Sequence, residues 1–382
     1  MSDAKVEKSE REINVIEKNL LGVKVDQFPK IIPGLVVAAL LAWLSTWFSR
    51  FLGTDILGFD KSPISAVMMA ILLGLILGNI IPLPAWLKPG FTFAVKKVLR
   101  FGIILLGIRL SIFSVFELGA IGIPIVLLCI LGALFFTTRI NNWLRLPERL
   151  GALIAVGTSI CGVSAIVATG PAIDAEDEEV AYAVAVITTF GIFATLVYPY
   201  LADFIFAGDP TKVGLFLGTS VHDTSQVTGS ALVFSQVFNL PKALDVATVT
   251  KLVRNVFMAA VIPFMAFYYA RKTQGSEEAV GTKTSFVKLL PLFVVGFLIM
   301  AVIRSLGDAL WAGAAWSDVV SFTKTWAVNL LVVALAAVGL STSFKILKGL
   351  GIKPFIVGLG AALIVGLVSF VAISLLGTFV TL

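Results

Sequence analysis

Long apolar stretches recur along the whole chain, and they constrain its fold more than any other feature of the sequence. They run for about 18 residues or more, the length at which a hydrophobic segment becomes a candidate membrane helix. Of the 382 residues, 58% are hydrophobic and 14% are charged, whereas a soluble domain carries about 25% charged residues. The sequence therefore predicts an all-α polytopic membrane protein in contact with the lipid bilayer.

The apolar stretches resolve into about eleven transmembrane segments joined by short connections. They lie near 31–49, 64–82, 92–112, 117–137, 150–172, 180–202, 213–236, 246–270, 286–306, 323–345 and 353–379. Residues 31–382 therefore form one transmembrane domain. The charged residues 1–30, with an apolar stripe among Lys and Glu, predict a cytoplasmic or interfacial amphipathic segment.

Basic residues gather in alternate connections, and this pattern predicts the orientation of the chain. Cytoplasmic loops carry an excess of Lys and Arg, which places the N-terminus inside and the C-terminus outside. The residues that fall inside are Lys88, Arg139, Arg145, Arg149, Arg271, Lys272, Lys283, Lys288, Lys345, Lys348 and Lys353. Because the loops account for the net charge of +6, nucleic acid is not expected as a partner.

Two similar strings indicate an internal repeat. ALIAVGTS at 152–159 resembles ALAAVGLS at 334–341, and the two lie in segments that cross the membrane in opposite directions. This register predicts inverted repeats over 64–202 and 213–379, although a second match through glycines leaves the register open. Inverted repeats are common in secondary transporters, whose sites lie near the midplane at broken helices.

The first polar interruption is GTSICGVSA, at Gly157–Ala165. Glycine costs about 1 kcal/mol in a helix relative to alanine, and Ser and Thr offer the backbone competing hydrogen bonds. A broken helix here would direct free N–H groups and a positive dipole end toward an anion. Close helix packing through small residues is the alternative. The candidate substrate-binding residues are Gly157, Thr158, Ser159, Cys161, Gly162 and Ser164.

The second interruption is GTSVHDTSQVTGSA, at Gly218–Ala231, and it holds the only histidine of the chain. Ionisable groups at membrane depth are costly and usually mark a pathway, although a shallow segment would leave His222 near water. His222 and Asp223 are the candidate coupling residues, because a histidine can titrate near neutral pH. Thr224, Ser225 and Gln226 are further candidates for substrate binding.

Two cations follow in KLVRN, at 251–255. Lys251 and Arg254 lie three residues apart and therefore share one helix face. Beside a broken helix they would form an anion site, since guanidinium binds oxyanions in bidentate fashion. Alternatively, both side chains extend to the membrane interface.

These three motifs resemble the YeiH family of bacterial membrane proteins, whose members bear the label of sulfate exporters. The matching strings are GTSICGVSAI at 157–166, SVHDTSQVTG at 220–229 and TVTKLVRN at 248–255. KLVR stands where the family has a KLTR-like pattern. The resemblance, which runs from about residue 31 to the C-terminus, implies a transporter of the bacterial inner (plasma) membrane with a sulfate-class substrate.

The sequence as a whole predicts a secondary active transporter of a small inorganic or organic oxyanion, of the sulfate, sulfite or sulfonate class, that works by alternating access. The chain has no nucleotide-binding loop, so the driving force would be a gradient of Na⁺ or H⁺ or of the substrate. The alternative is a sodium- or proton-coupled cation antiporter or symporter of the same broken-helix type. No cofactor or metal is expected, because one histidine and two cysteines do not suffice for a zinc site.

Other classes of protein are less favoured by the sequence. An intramembrane enzyme would use Cys161 or Ser159 as nucleophile and His222 as base, but no protease or acyl-transfer signature accompanies them, and the chain is predicted not to be an enzyme. A structural protein, a receptor or a channel would show no saturable carrier-like transport. The substrate, the direction, the coupling ion and a homo-oligomeric state are left open.

Overall fold

The computed structural model describes residues 25–58, 62, 65–274, 292–311, 313–343 and 352–376. The predicted N-terminal segment 1–30 lies mostly outside this part, and only its end, Val25–Lys30, is described, as a 3₁₀ helix. Within the described ranges the chain forms helices and no β-strand. The predicted all-α membrane fold is therefore confirmed.

Fifteen α-helices are described. In chain order they are α1 (Ile32–Arg50), α2 (Ala66–Ile80), α3 (Lys88–Phe93), α4 (Leu99–Leu106), α5 (Ile112–Trp143), α6 (Glu148–Ser159), α7 (Val163–Thr169), α8 (Asp177–Phe206), α9 (Pro210–Ser220), α10 (Thr224–Phe238), α11 (Lys242–Val256), α12 (Met258–Gln274), α13 (Leu292–Leu310), α14 (Ala314–Ser341) and α15 (Ile352–Leu376). Short 3₁₀ or π turns extend several of them, at Phe51–Ile56, Ala85–Leu87, Ala94–Val98, Gly107–Arg109 and Pro171–Ile173.

Seven helical stretches are long and apolar enough to span a membrane among the residues described, so the predicted number of about eleven is not confirmed. They are Phe28–Ile56, Ile112–Trp143, Asp177–Phe206, Lys242–Tyr269, Leu292–Leu310, Ala314–Ser341 and Ile352–Leu376. The second, third, fifth and seventh predicted segments contain shorter helices instead. The fifth and seventh are divided at their polar interruptions, because each places residues of low helix propensity in mid-segment.

The helices pack as two bundles. The first bundle contains α1 to α4, α13 and α14, which contact one another more than the rest of the chain. Within it α2 and α14 approach closely, and a Cβ added at Gly74 would lie 2.9 Å from the Cα of Gly339. Small residues at such an approach are typical of membrane helix pairs, since they allow dispersion contacts between backbones.

The second bundle contains α5 to α12 and α15. Here α5 packs against α15, α6 and α11, while α9 packs against α11 and α15. Both interrupted segments, α6–α7 and α9–α10, belong to this bundle. The site described below therefore lies within one packing unit rather than between the two.

The predicted inverted repeats over 64–202 and 213–379 stay a prediction. The strings at 152–159 and 334–341, on which the register rests, each form the last turns of a helix, since α6 ends at Ser159 and α14 ends at Ser341. Most of the charged connection between Arg271 and Lys288 lies outside the described residues, beyond the end of α12 at Gln274.

Candidate functional site

The two interruptions predicted from the sequence lie against each other. The helix α6 ends at Ser159, because Ile160 leaves the helical region with φ −122° and ψ −98° and Gly162 turns at φ 67°. A Cβ at Gly162 would lie 3.1 Å from the Cα of Asp223, in the break between α9 and α10. We use the name crossing for the two breaks, 158–162 and 218–223, together with the residues of α11 that contact them.

The side chain of Arg254, in α11, contacts the C-terminal ends of both α6 and α9, the first halves of the two broken segments. Its side chain is 0% exposed. Its Nε donates to the carbonyl oxygen of Ser159 at 2.7 Å, and its Nη2 donates to that of Thr158. Its Nη1 donates to the carbonyl oxygens of Thr219 at 2.8 Å and Val221 at 3.0 Å. The guanidinium thus supplies partners to carbonyls that the ends of α6 and α9 leave without intrahelical donors.

Lys251 lies one turn earlier on the same face of α11 and is 1% exposed. Its Nζ donates to the carbonyl oxygens of Ile160 at 2.7 Å and Val221 at 3.2 Å, and also to that of His222. An ammonium has three N–H donors, and here protein carbonyls accept from all of them. The alternative prediction, extension of both cations to the interface, does not match this burial.

Charges at the crossing match the dipoles of the four half-helices. The C-terminal ends of α6 and α9 carry partial negative charge, and they face Lys251 and Arg254. The N-terminal ends of α7 and α10 carry partial positive charge, and Asp223 lies at both, as the N-cap of α10 and beside Gly162. Side chains of this protein thus neutralise the helix ends that the breaks create.

The second break is fixed by a capping box. The carboxylate of Asp223 accepts from the backbone N–H of Ser225 at 2.9 Å and from its hydroxyl at 2.6 Å. The side chain of Gln226 accepts from the backbone N–H of Asp223 at 3.0 Å and donates to the carbonyl oxygen of Thr188 in α8 at 3.2 Å. Ser225 and Gln226, predicted as substrate ligands, therefore hold the backbone of the break in this conformation.

The first break is fixed mainly by packing. Gly157 and Cys161 are buried, and a Cβ at Gly157 would lie 2.7 Å from Cδ1 of Ile166 in α7. The thiol of Cys161 contacts the sulfur of Met258 at 3.6 Å, and the hydroxyl of Ser159 donates to the carbonyl oxygen of Val156 at 3.2 Å. These contacts close the two halves of the segment around the break.

Several buried polar atoms in this region have no hydrogen-bond partner. Among the residues described they include both ring nitrogens of His222, the hydroxyl of Thr158, the hydroxyl of Thr250 and the amide oxygen of Asn255. The backbone of Ser220 lies near the His222 ring, outside good hydrogen-bond geometry. Because a buried polar group without a partner costs about 1–3 kcal/mol, their concentration here indicates a place for a ligand or water.

One side of the crossing is less buried than the other. Asp223 and Thr224 are half-buried and Ser164 is exposed, whereas Thr158 and His222 are fully buried. The exposed part is thus at the start of α7 and α10, and the buried part is at the end of α6 and α9. Ser164 is the predicted ligand that the structure does not bring among the buried groups.

Sequence reasoning did not select two residues that complete this region. The amide of Asn255 donates to the hydroxyl of Thr224 at 3.2 Å. Thr250 lies against α9, since a Cβ added at Gly218 would be 2.7 Å from the Cβ of Thr250. Asn255 directly follows Arg254 in the KLVRN string. An amide next to the two cations was the feature of the sequence that could have identified it.

Comparisons with known proteins cover most of the helical region. Residues 33–358 match the family model described as conserved hypothetical protein 698. A UPF0324 membrane protein of Streptococcus agalactiae is 32% identical over 352 residues, which cover 92% of this chain and 99% of the relative. A UPF0324 membrane protein of Fusobacterium nucleatum is 31% identical over 83% of this chain and 91% of the relative. One of Streptococcus pyogenes is 33% identical over 90% and 94%.

Proposed function

The chain belongs to the conserved hypothetical protein 698 family of membrane proteins, and from this premise and the geometry of the crossing we propose that it is a secondary active transporter of a small oxyanion. The resemblance to the YeiH family is confirmed by the same matches. The proposed substrates are of the sulfate, sulfite or sulfonate class, as the family label suggests. The proposed mechanism is alternating access at the broken helices.

The charge of the crossing is the observation that most favours an anion. Lys251 and Arg254 bring two positive charges to a buried region, and Asp223 is the carboxylate that acts on it electrostatically among the described groups. The two C-terminal and two N-terminal half-helix ends offset one another, so a formal charge of about +1 remains. Since an uncompensated buried charge costs several kcal/mol, an anion bound here would stabilise the protein. A cation would add to the cost.

The unpaired polar atoms provide contacts for such an anion. The hydroxyl of Thr158 and a protonated nitrogen of His222 would donate to oxyanion oxygens. Thr224 and Ser164, on the less buried side, would meet the anion first. Lys251 would contribute through its charge rather than by a direct contact, because carbonyls already accept from its three N–H donors.

The division into two bundles supports alternating access. Secondary transporters commonly bind substrate at discontinuous helices and rock one bundle against another around that site. Here both broken segments lie in the second bundle, whose α10 also packs against α2 of the first, and the two bundles would move against each other at this contact. His222 and Asp223 remain our candidates for a coupling proton or cation. We place the protein in the bacterial inner membrane with its N-terminus in the cytoplasm, on the basis of the loop charges.

The first test is the thermal stability of the purified protein in detergent against sulfate, sulfite, taurine, phosphate and bicarbonate. A ligand that binds only the folded state raises the melting temperature by an amount set by its affinity and concentration. We expect a saturable rise with one of these anions. Transport of that anion into proteoliposomes, at rates typical of a carrier, would then separate a transporter from a channel or a receptor.

A matched pair of variants locates the binding site. Thr158→Val removes a buried hydroxyl that has no partner among the described residues, whereas Thr189→Val removes one that donates to the carbonyl oxygen of Ala185 within α8. We expect the first variant to weaken anion binding and the second to leave it unchanged. No stabilisation by any anion, combined with stabilisation by sodium alone, would replace this proposal with the cation antiporter.

A further inference from the structure

The carbonyl groups at the crossing form a site of the kind that holds a monovalent cation. In broken-helix transporters, unwound carbonyls and the C-terminal ends of half-helices coordinate Na⁺. Here the carbonyl oxygens of Ile160 from the first break and of Val221 and His222 from the second converge on one point. Two chain segments about 60 residues apart in sequence thus contribute to one cluster of oxygens.

That point is occupied by a side chain of the protein itself. The Nζ of Lys251 lies 2.7 Å from the oxygen of Ile160 and 3.2 Å from that of Val221. An ammonium is a compact point charge with three donors, so it satisfies three carbonyls in the way a small cation would. Lys251 is buried, with 1% of its surface exposed, so its ammonium has these carbonyls rather than solvent as its partners.

Arg254 strengthens the same conclusion. Its guanidinium donates to the carbonyls of Thr158, Ser159 and Thr219, which lie in the last turns of α6 and α9. A third cation in this region would meet two positive charges within a few ångströms at low dielectric, where repulsion is strong. The carbonyls that converge at the crossing therefore already accept from two cations that belong to the chain.

We propose that the ammonium of Lys251 occupies a built-in cation site at the crossing, so that the protein needs no sodium to assemble its binding site. This inference rests on the crossing being the working part of the proposed transporter, and it goes further by excluding Na⁺ as the coupling ion. Removing the Lys251 side chain should empty the site and convert it into one that accepts a small external cation.

The test compares Lys251→Ala with the wild type and with Lys242→Ala. Lys242 is exposed at the start of the same helix α11, so its variant makes the same change of residue and charge outside the crossing. Each purified protein is titrated with NaCl, KCl and methylammonium chloride, and choline chloride is added at each point to keep the ionic strength constant. The melting temperature is the measurement, and no candidate substrate anion is present.

We expect the wild type and Lys242→Ala to show no difference between sodium and choline. Lys251→Ala should melt at a lower temperature in choline and regain stability with a small cation, in a saturable rise on the order of 2 °C or more. Lys251→Arg keeps the charge and should remain insensitive to sodium.

Three results would overturn the inference. A saturable stabilisation of the wild type by sodium would show that a vacant sodium site exists, and this measurement does not depend on any variant folding. A Lys251→Ala protein as stable as the wild type would show that the ammonium does not hold the crossing. A destabilised variant that no small cation stabilises would show that the carbonyls do not form a cation site. None of these results depends on anion binding, so the proposed oxyanion transport is tested separately.

Discussion

Arg254 donates from its Nε to the carbonyl oxygen of Ser159 at 2.7 Å, across 95 residues of sequence. Ser159 is the last residue of α6, so this bond fixes the end of one broken helix to the middle of the second bundle. The same guanidinium reaches the end of α9 through Thr219 and Val221. One side chain therefore holds both breaks at a fixed separation, and the geometry of the candidate site depends on it.

Arg254→Ala should destabilise the fold as well as the site. The substitution leaves the carbonyls of Thr158, Ser159 and Thr219 without their donor in a buried region. A buried acceptor left without its partner costs about 1–3 kcal/mol, so with three such carbonyls we expect a loss of about 3 kcal/mol or more in the free energy of unfolding in detergent. Arg139→Ala is the control, since Arg139 is exposed and its guanidinium lies over the ring of Phe135. Equal stability of the two variants would contradict the role given to Arg254.

Gly162→Ala should separate the two breaks. Gly162 adopts φ 67°, a region in which a side chain costs about 1–2 kcal/mol, and its Cβ would press on Asp223 at 3.1 Å. We expect a destabilisation of about 2 kcal/mol together with weaker anion-dependent stabilisation. Gly119→Ala in α5 is matched to it, because its Cβ would make an ordinary contact with Val253 at 3.6 Å and alanine favours a helix. A neutral Gly162→Ala would show that the close approach of the breaks is not needed.

Asp245→Asn should weaken the contact between the two bundles. The carboxylate of Asp245, in α11, pairs with the guanidinium of Arg109 at the end of the turn that follows α4. Because the two side chains are 15% and 17% exposed, we expect a loss of about 1–3 kcal/mol in the free energy of unfolding. Lys212→Gln breaks the Lys212–Asp209 pair, which is 37% exposed on each side, and should cost less than about 1 kcal/mol. A smaller effect for Asp245→Asn than for Lys212→Gln would refute this assignment.

The positions of both breaks could be predicted from the sequence, because Gly, Ser and Thr are concentrated at 157–165 and 218–231 in otherwise apolar segments. The shared face of Lys251 and Arg254 also followed from their spacing. The hydrogen-bond partners of these two cations could not be predicted. Nothing local to α11 shows that the ends of α6 and α9 converge on it, so the cations were assigned to a substrate anion rather than to backbone carbonyls.

The number of membrane helices and the exposure of Ser164 could not be predicted from local sequence for a related reason. Hydropathy gives the length of an apolar stretch, but α6, α7, α9 and α10 are short because tertiary contacts satisfy their ends. Ser164 is one residue from the buried Ala165, and which of the two faces the crossing depends on the direction in which α7 restarts after Gly162. The conformation of the turn at Gly162 determines that direction.

His222→Phe should stabilise the fold and impair binding. Both ring nitrogens of His222 lie in a fully buried position without a partner among the described residues, so the fold gains nothing from their polarity. A ring of similar shape without polar atoms should raise the free energy of unfolding by about 1–2 kcal/mol. Such a gain in stability at the expense of function is common where a site is kept polar for a ligand.

The same variant should lose most of the stabilisation by anions. If a nitrogen of His222 donates to the substrate, its removal should weaken binding by about tenfold or more, since one hydrogen bond to a charged group contributes about 1.5–3 kcal/mol. Thermal titration of both proteins with the anion that stabilises the wild type gives the two quantities in one experiment. A variant that is more stable and binds as well as the wild type would place the anion away from His222. A variant that is less stable would show that the ring has a partner, for example a buried water, in the folded protein.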